Sequence, residues 1–422
     1  MILALAAGHA LAKAGLLLDA LLAAGALCTT GRLRRAAFAG ALAATPVLLV
    51  AELWHSTQIT HLRHHPLLAV VGALAAVALA GGLALVVRDR PRLLALGAVA
   101  ALPFRFSVLA GGTGGVLLPL YVVIAAGGLA LVVWDRGRAD EAPIGLLERA
   151  LAGFVVLYGI QALYTPTASL GKAVEEVGFF LVPFALLFVL LRRLEWDRAL
   201  VVRCAAVVVA LAVAFVGVGA VEYASRHVLF NTALNNNERF FRVNSLFYDP
   251  NVFGRFLALT AVLVAAGVVI AIAASGRLHL NLSDSSGANN ATAGRYSLVR
   301  EGIDLFGDRP LAGFGSASFS CEFLRDKGYS CAHSVPVTSD SHTIPITIAA
   351  EQGVIGLAAY ALLLVAALWR LAAGGLRGRA ARVAVLAAFV ALVVHTWAYA
   401  DFLEDPITWT LLAVGTALAR DD

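Results

Sequence analysis

Charge is what this chain has least of. Only 14% of its 422 residues are Asp, Glu, Lys or Arg, and 60% are hydrophobic, where a soluble domain carries about 25% charge. That composition excludes an ordinary soluble domain. The formal net charge of +5 comes from basic residues that mostly sit between apolar runs, so no nucleic-acid partner is expected. Lysine is nearly missing: Lys13, Lys172 and Lys327 are three among 32 basic residues. With abundant Ala, Leu, Val, Gly and Arg, this usage fits a GC-rich, bacterial genome. Cysteine is scarce too, at four residues, and none has a histidine at zinc-ligand spacing. Cys28 and Cys204 fall within apolar runs and read as small core residues. Cys321 and Cys331, ten apart in a polar stretch, would suit a disulfide if that stretch faces an oxidising compartment. Paired acids of the Asp-x-Asp kind are missing from the linker 55–66. A divalent metal acting on a diphosphate wants hard carboxylate oxygens, so the expectation is chemistry with no metal and no cofactor.

What is present is apolar length. Runs near 8–29, 37–54, 67–87, 92–109, 115–134, 149–164, 177–191, 199–221, 252–275, 353–372, 382–400 and 406–419 approach or reach the roughly 20 residues that cross a hydrocarbon core. The pattern predicts an all-α polytopic membrane protein of about 12 transmembrane helices, a single transmembrane domain over 1–422. Residues 1–30 read as a first span that stays in place, without a secretory cleavage site. Arg32/Arg34/Arg35, Arg88/Arg90/Arg92, Arg136/Arg138, Arg192/Arg193/Arg198 and Arg377/Arg379/Arg382 fall on one side of the alternation. The positive-inside rule makes that side cytoplasmic. Linkers 55–66, 165–176, 222–251 and 401–405 are then outside, as is the start of the run at 353. Residues 251 and 353 both being outside requires an even number of crossings between them, yet a single run, 252–275, lies there. The parity does not close on a tidy helix count.

One polar island interrupts the apolar sequence. Residues 276–342 end in Ser339-Asp340-Ser341-His342, directly before Thr-Ile-Pro-Ile-Thr-Ile-Ala-Ala-Glu-Gln-Gly-Val-Ile-Gly. A histidine at the lip of a span suits general-base work, since its unperturbed pKa is about 6.5, and Asp340 could orient it. The plainer reading is a helix start, for which Ser and Asp are natural N-caps; the two are compatible. Arginines gather on the same side: Arg242, Arg255, Arg295 and Arg300. Guanidinium forks bind phosphate bidentately and hold their charge, although arginine at a membrane boundary commonly snorkels to headgroups. Arg255 stands apart, because a charge inside an apolar span usually faces the bundle interior or a polar cavity. Asp249-Pro250-Asn251 marks a turn into a helix. The Asp308–Gly315 stretch has two glycines whose spacing matches neither a Walker loop nor a dinucleotide fingerprint. His61, His64 and His65 have no acid or cysteine beside them and read as an interfacial loop. No internal repeat of the transporter kind is visible.

Four stretches, in this order and spacing, resemble the O-antigen ligase and O-antigen polymerase superfamily of bacterial envelope glycosyltransferases. They are Arg242-Val-Asn-Ser-Leu-Phe-Tyr-Asp-Pro-Asn-Val-Phe; Gly294-Arg295-Tyr-Ser-Leu-Val-Arg-Glu-Gly-Ile running into Asp308-Arg-Pro-Leu-Ala-Gly-Phe-Gly-Ser; Ser341–Gly356; and Asp401-Phe-Leu-Glu-Asp405-Pro406. The likeness covers 240–420, and 1–230 share only a string of spans. It implies a GT-C-like helical fold in the bacterial inner membrane, with one large periplasmic loop at 276–342 before the last three helices. It further implies an enzyme that moves a glycan from an undecaprenyl-diphosphate carrier to a glycolipid or polysaccharide acceptor. The family's essential histidine falls on His342 and its essential arginines on Arg242 and Arg295, with Arg255 and Arg300 as further diphosphate contacts. A ligase and a polymerase need the same arrangement, and both readings stay open.

Overall fold

The computed structural model of the chain describes residues 2–52, 54, 60, 64–104, 106–107, 115–134, 143–230, 235, 241–247, 249–265, 295–331, 341–373, 379–397, 399 and 401–419. The fold is all-α apart from a two-residue antiparallel pairing of Phe106–Ser107 with Gly115–Val116. In chain order the helices are α1 (Ile2–Cys28), α2 (Gly31–Glu52), α3 (Pro66–Asp89), α4 (Arg92–Ala101), α5 (Leu118–Trp134), α6 (Leu146–Gln161), α7 (Leu170–Glu175), α8 (Val182–Arg192), α9 (Arg198–Ser225), α10 (Pro250–Ala265), α11 (Arg295–Asp308), α12 (Phe319–Asp326), α13 (Ile344–Ala372), α14 (Ala380–Thr396) and α15 (Pro406–Leu418). A π-helical turn, Glu176–Leu181, joins α7 to α8 without a break.

Among the described residues each of the twelve apolar runs falls at least in part on a helix. Six helical stretches among the described residues are long and apolar enough to cross a membrane, and five more are apolar but shorter. The run at 92–109 is cut back to Ala101, where Pro103 follows with no backbone N–H to continue the ladder. The interval where the crossing parity failed, 266–294, lies outside the described residues.

The stretch 167–192 is the hub, with 83% of its most apolar window buried inside the protein. α1, α2, α5 and α15 pack around it. By contrast α3 buries 11% of its window and α9 22%, so their Leu and Val faces are left for lipid. The hub is fixed at both ends by polar pairs. Arg192 Nε lies 2.9 Å from Glu148 Oε1, while Glu148 Oε2 accepts from the Gly145 N–H at 2.9 Å; the two side chains are almost fully buried. The pair holds the start of α6 against the end of α8. At the other end Tyr158 donates to Glu176 Oε2, and Lys172 lies 3.5 Å from Glu176 Oε1.

α13 is two helices meeting at Gly353, whose φ of 64° and ψ of −161° interrupt the ladder. The groups freed by the break are taken up by the strap Pro310–Gly315. The Phe314 and Gly315 N–H groups donate to the carbonyls of Ala350 and Glu351 at 3.2 and 2.8 Å, and the Val354 and Ile355 N–H groups donate to Pro310 and Leu311 at 2.7 and 3.3 Å. Gln161 Nε2 donates to the Gln352 carbonyl at 3.2 Å. Buried backbone groups need such partners. Only glycine fits here: a Cβ at 353 would lie 2.4 Å from the Leu311 oxygen, and one at Gly313 would lie 2.3 Å from the Glu351 carbonyl.

Candidate active site

His342 is set by the start of α13. Ser341 is fully buried, and its Oγ accepts from the Thr343 N–H at 3.2 Å, donates to the Thr343 carbonyl at 2.9 Å and lies 2.9 Å from Thr347 Oγ1. The turn closes under His342, whose φ is +56°. A β-carbon makes that conformation costly, by about 1–3 kcal/mol, and it persists only where the surroundings enforce it. The helix-start reading and the histidine therefore belong to one device: Ser341 braces the turn just before the N-cap Thr343, whose own side chain makes no cap bond. Asp340 lies outside the described residues.

Beyond the turn the imidazole meets Tyr399, with ring centroids 5.8 Å apart at 33°. Tyr399 is the hub of the cluster. Its hydroxyl donates to Asp249 Oδ2 at 3.1 Å, His395 packs on it at 5.6 Å, and the Arg255 guanidinium carbon lies 5.7 Å from its ring centre. Asp249 carries a second bond: its Oδ1 accepts from the Asn251 N–H at 2.6 Å, the turn into α10 read from Asp-Pro-Asn. Arg255 is buried, its Nε 3.2 Å from Asp405 Oδ2 and an NH group 3.4 Å from Asp401 Oδ2. Asp405 also caps α15 through the Ile407 N–H at 2.9 Å. Asp401 has a φ of 72°, a second left-handed non-glycine residue beside His342.

Arg242 is half-buried, and its backbone exchanges hydrogen bonds with the Asn235 side chain at 2.8 and 3.0 Å. Its segment leads to Asp249 and is pinned by Glu222, whose Oε2 accepts from the N–H groups of Asn244 and Ser245 at 3.2 and 2.7 Å. Phe247 anchors the same segment in an aromatic cluster with Phe215, Phe253 and Phe256. Arg295 opens α11, its side chain outside the described residues, and Arg300 is exposed on the same helix. Cys321 and Cys331 are joined as a disulfide. Thus the structure brings His342 and Arg255 together through Tyr399 and places Arg242 on the segment ending at Asp249. Tyr399 and His395 are additions that sequence reasoning passed over. An aromatic residue near a span end is ordinarily read as an interfacial anchor, and nothing local marks these two as different.

Next to this cluster is a small, partly open cavity between α6, the π-helical turn, α13 and the turn 401–404. Asp401 belongs to both, and Thr347, in the cavity wall, bonds Ser341 beside His342. Among the described residues no group of three His, Cys, Asp or Glu side chains is placed to hold a metal ion.

No curated protein matches the chain. Residues 175–361 match the family model for O-antigen ligase, a stretch that runs from the π-helical turn through His342 into the lower half of α13. The resemblance read from the sequence over 240–420 is supported by this match as far as residue 361.

Proposed function

We propose that this membrane protein is a ligase-type glycosyltransferase that moves a glycan from an undecaprenyl-diphosphate carrier to a hydroxyl of a glycolipid or other envelope acceptor. The observation that carries the reading is His342, held in a left-handed turn at the end of a span, inside the stretch that matches the O-antigen ligase family. In this reading 276–342 is the periplasmic loop of an inner-membrane enzyme, and the site faces the periplasm.

The chemistry follows from the residue types. His342 takes the proton of the acceptor hydroxyl as its oxygen attacks the anomeric carbon of the carrier-linked sugar. The carbon–oxygen bond to the diphosphate breaks, and negative charge builds on the leaving group. Arg242, Arg295 and Arg300 supply permanent cations for that charge. Arg255 is given a different part. Two carboxylates already occupy its guanidinium, whose side chain is 1% exposed, so it acts as a positioning residue that holds Tyr399 against His342.

The test is His342→Ala in a proteoliposome assay, with expression and membrane insertion checked first. Loss of a general base costs about 10²–10⁴-fold in rate, and full transfer by the variant would sink the mechanism. Ligase and polymerase separate when lipid-linked oligosaccharide is supplied with no second acceptor: the ligase leaves it unchanged, and chain growth would replace the ligase with the polymerase.

A further inference from the structure

One region of the bundle is left unfilled. α9 packs on α4 and α10 but stands off α15, and between them is a partly open cavity of about 130 Å³. Its shape follows from the residues that line it. Val201–Val208 on α9, Phe256–Leu263 on α10 and Ile407–Val414 on α15 each contribute residues at i, i+3, i+4 and i+7, the stripe by which a helix ordinarily packs on a neighbour. Seven residues rise about 10 Å along a helix, so the cavity is a slot running parallel to the helix axes. Buried Trp196, just before α9, also lines it. A polar ligand finds little here. The Trp196 indole N–H donates to the Leu191 carbonyl at 2.9 Å, and the Thr260 hydroxyl donates to the Phe256 carbonyl at 2.8 Å. An apolar cavity of this size stays dry and takes apolar guests. Ala205 lines the slot and is exposed, so the slot is reached from the outer side of α9, a helix that buries 22% of its most apolar window. A narrow apolar slot along the helix axes, open to the bilayer, has the form of a hydrocarbon chain.

The charges at the start of α9 say which lipid. Arg198 continues the α9 stripe, three residues before Val201 and seven before Ala205, and both it and Arg203 are exposed. Arg92, Arg193, Arg198 and Arg203 outnumber Glu195 and Asp197 at this end. Asp197 is already taken, by Arg92 at 2.7 Å and by the Leu200 N–H at 2.7 Å. Arginines where helices leave the hydrocarbon attract anionic lipid heads. We infer that the slot holds one acyl chain of an anionic phospholipid whose head group sits on Arg198 and Arg203. This site does not rest on the transferase reading. Glu222, which pins the segment of Arg242, is roughly 35 Å from Arg198 along α9, so a lipid held by Arg198 belongs to the leaflet away from His342. A glycan carrier has to bring its diphosphate to the His342 end instead.

The test uses the full chain, purified in detergent and stripped of lipid. It is titrated with palmitoyl-oleoyl phosphatidylglycerol or with phosphatidylcholine of the same chains, and bound lipid is counted by native mass spectrometry. Wild type is expected to hold phosphatidylglycerol about fivefold more tightly, the factor that one arginine near a membrane surface supplies, and to melt higher with it bound. Arg198→Gln should remove that preference. Ala205→Phe, which fills the slot from its open side, should bind both lipids about tenfold more weakly. Cys204 locates the lipid. It is a free, buried thiol in the slot wall, and phosphatidylglycerol should slow its alkylation by N-ethylmaleimide severalfold while leaving Cys28 unchanged. Equal affinity for the two lipids overturns the site, as does alkylation of Cys204 that is indifferent to phosphatidylglycerol. A folded Ala205→Phe that binds like wild type overturns it too; if that variant does not fold, Arg198→Gln and Cys204 decide. Undecaprenyl phosphate that displaces phosphatidylglycerol at equal concentration and protects Cys204 in its place also overturns it, in favour of the carrier's chain.

Discussion

Tyr399 meets His342, His395, Arg255 and Asp249, which come from three different parts of the chain. The setting of the imidazole therefore depends on residues outside its own turn. Tyr399→Phe keeps the ring and removes the bond to Asp249, and is expected to lower kcat about tenfold with little change in melting temperature. One hydrogen bond to a carboxylate is worth about 1.5–3 kcal/mol, and here part of that goes into orientation. Activity equal to wild type in the purified variant would show that Tyr399 only fills space. Ser341→Ala acts closer to the base. It removes the hydroxyl that accepts from Thr343 and meets Thr347, and should lower kcat by about tenfold or more through misplacement of His342, with donor KM unchanged. Among these residues His342 was legible because a histidine beside Ser and Asp at a span boundary is unusual in so apolar a chain. Tyr399 was not, because its partners Asp249 and His342 are distant in sequence and the contact exists only in the folded bundle.

At the scale of elements, hydrophobic length revealed the helices but not their irregularities. The sequence marks a helix start after His342 and an apolar run from 353, but nothing in it marks a break at Gly353, which depends on a strap more than 35 residues upstream. The same holds for the π-helical turn, where Glu176 sits among apolar residues and is explained by Tyr158 and Lys172. Gly353→Ala is the direct test of the break. The added Cβ meets the Leu311 oxygen at 2.4 Å in a backbone region that L-residues rarely adopt, so the strap must lift or α13 must straighten. Detergent-solubilised variant should melt well below wild type, losing about 1–3 kcal/mol or more. An unchanged melting temperature would mean that the strap is not held by this register.

At the scale of the whole molecule, a bundle with a nearly enclosed hub has its cavity and the adjoining His342 cluster at the Glu176 end of that hub. Sidedness can be checked directly. A cysteine placed at the position of Arg309, just after α11, is expected to react with a membrane-impermeant maleimide added to intact spheroplasts, and one placed at Arg193 only after lysis; the reverse pattern would overturn the periplasmic assignment. The break at Gly353 then has a mechanical meaning. The upper segment of α13, which carries the His342 turn and one cavity wall, is laced to Pro310–Gly315 and Gln161, while the lower segment is pinned elsewhere, by Arg370 donating to the Thr416 and Ala419 carbonyls at the end of α15 and by Arg382 donating to the Leu371 carbonyl. The two halves of one helix thus answer to different anchors, and the one that holds the imidazole is the strap, not the rod beyond it.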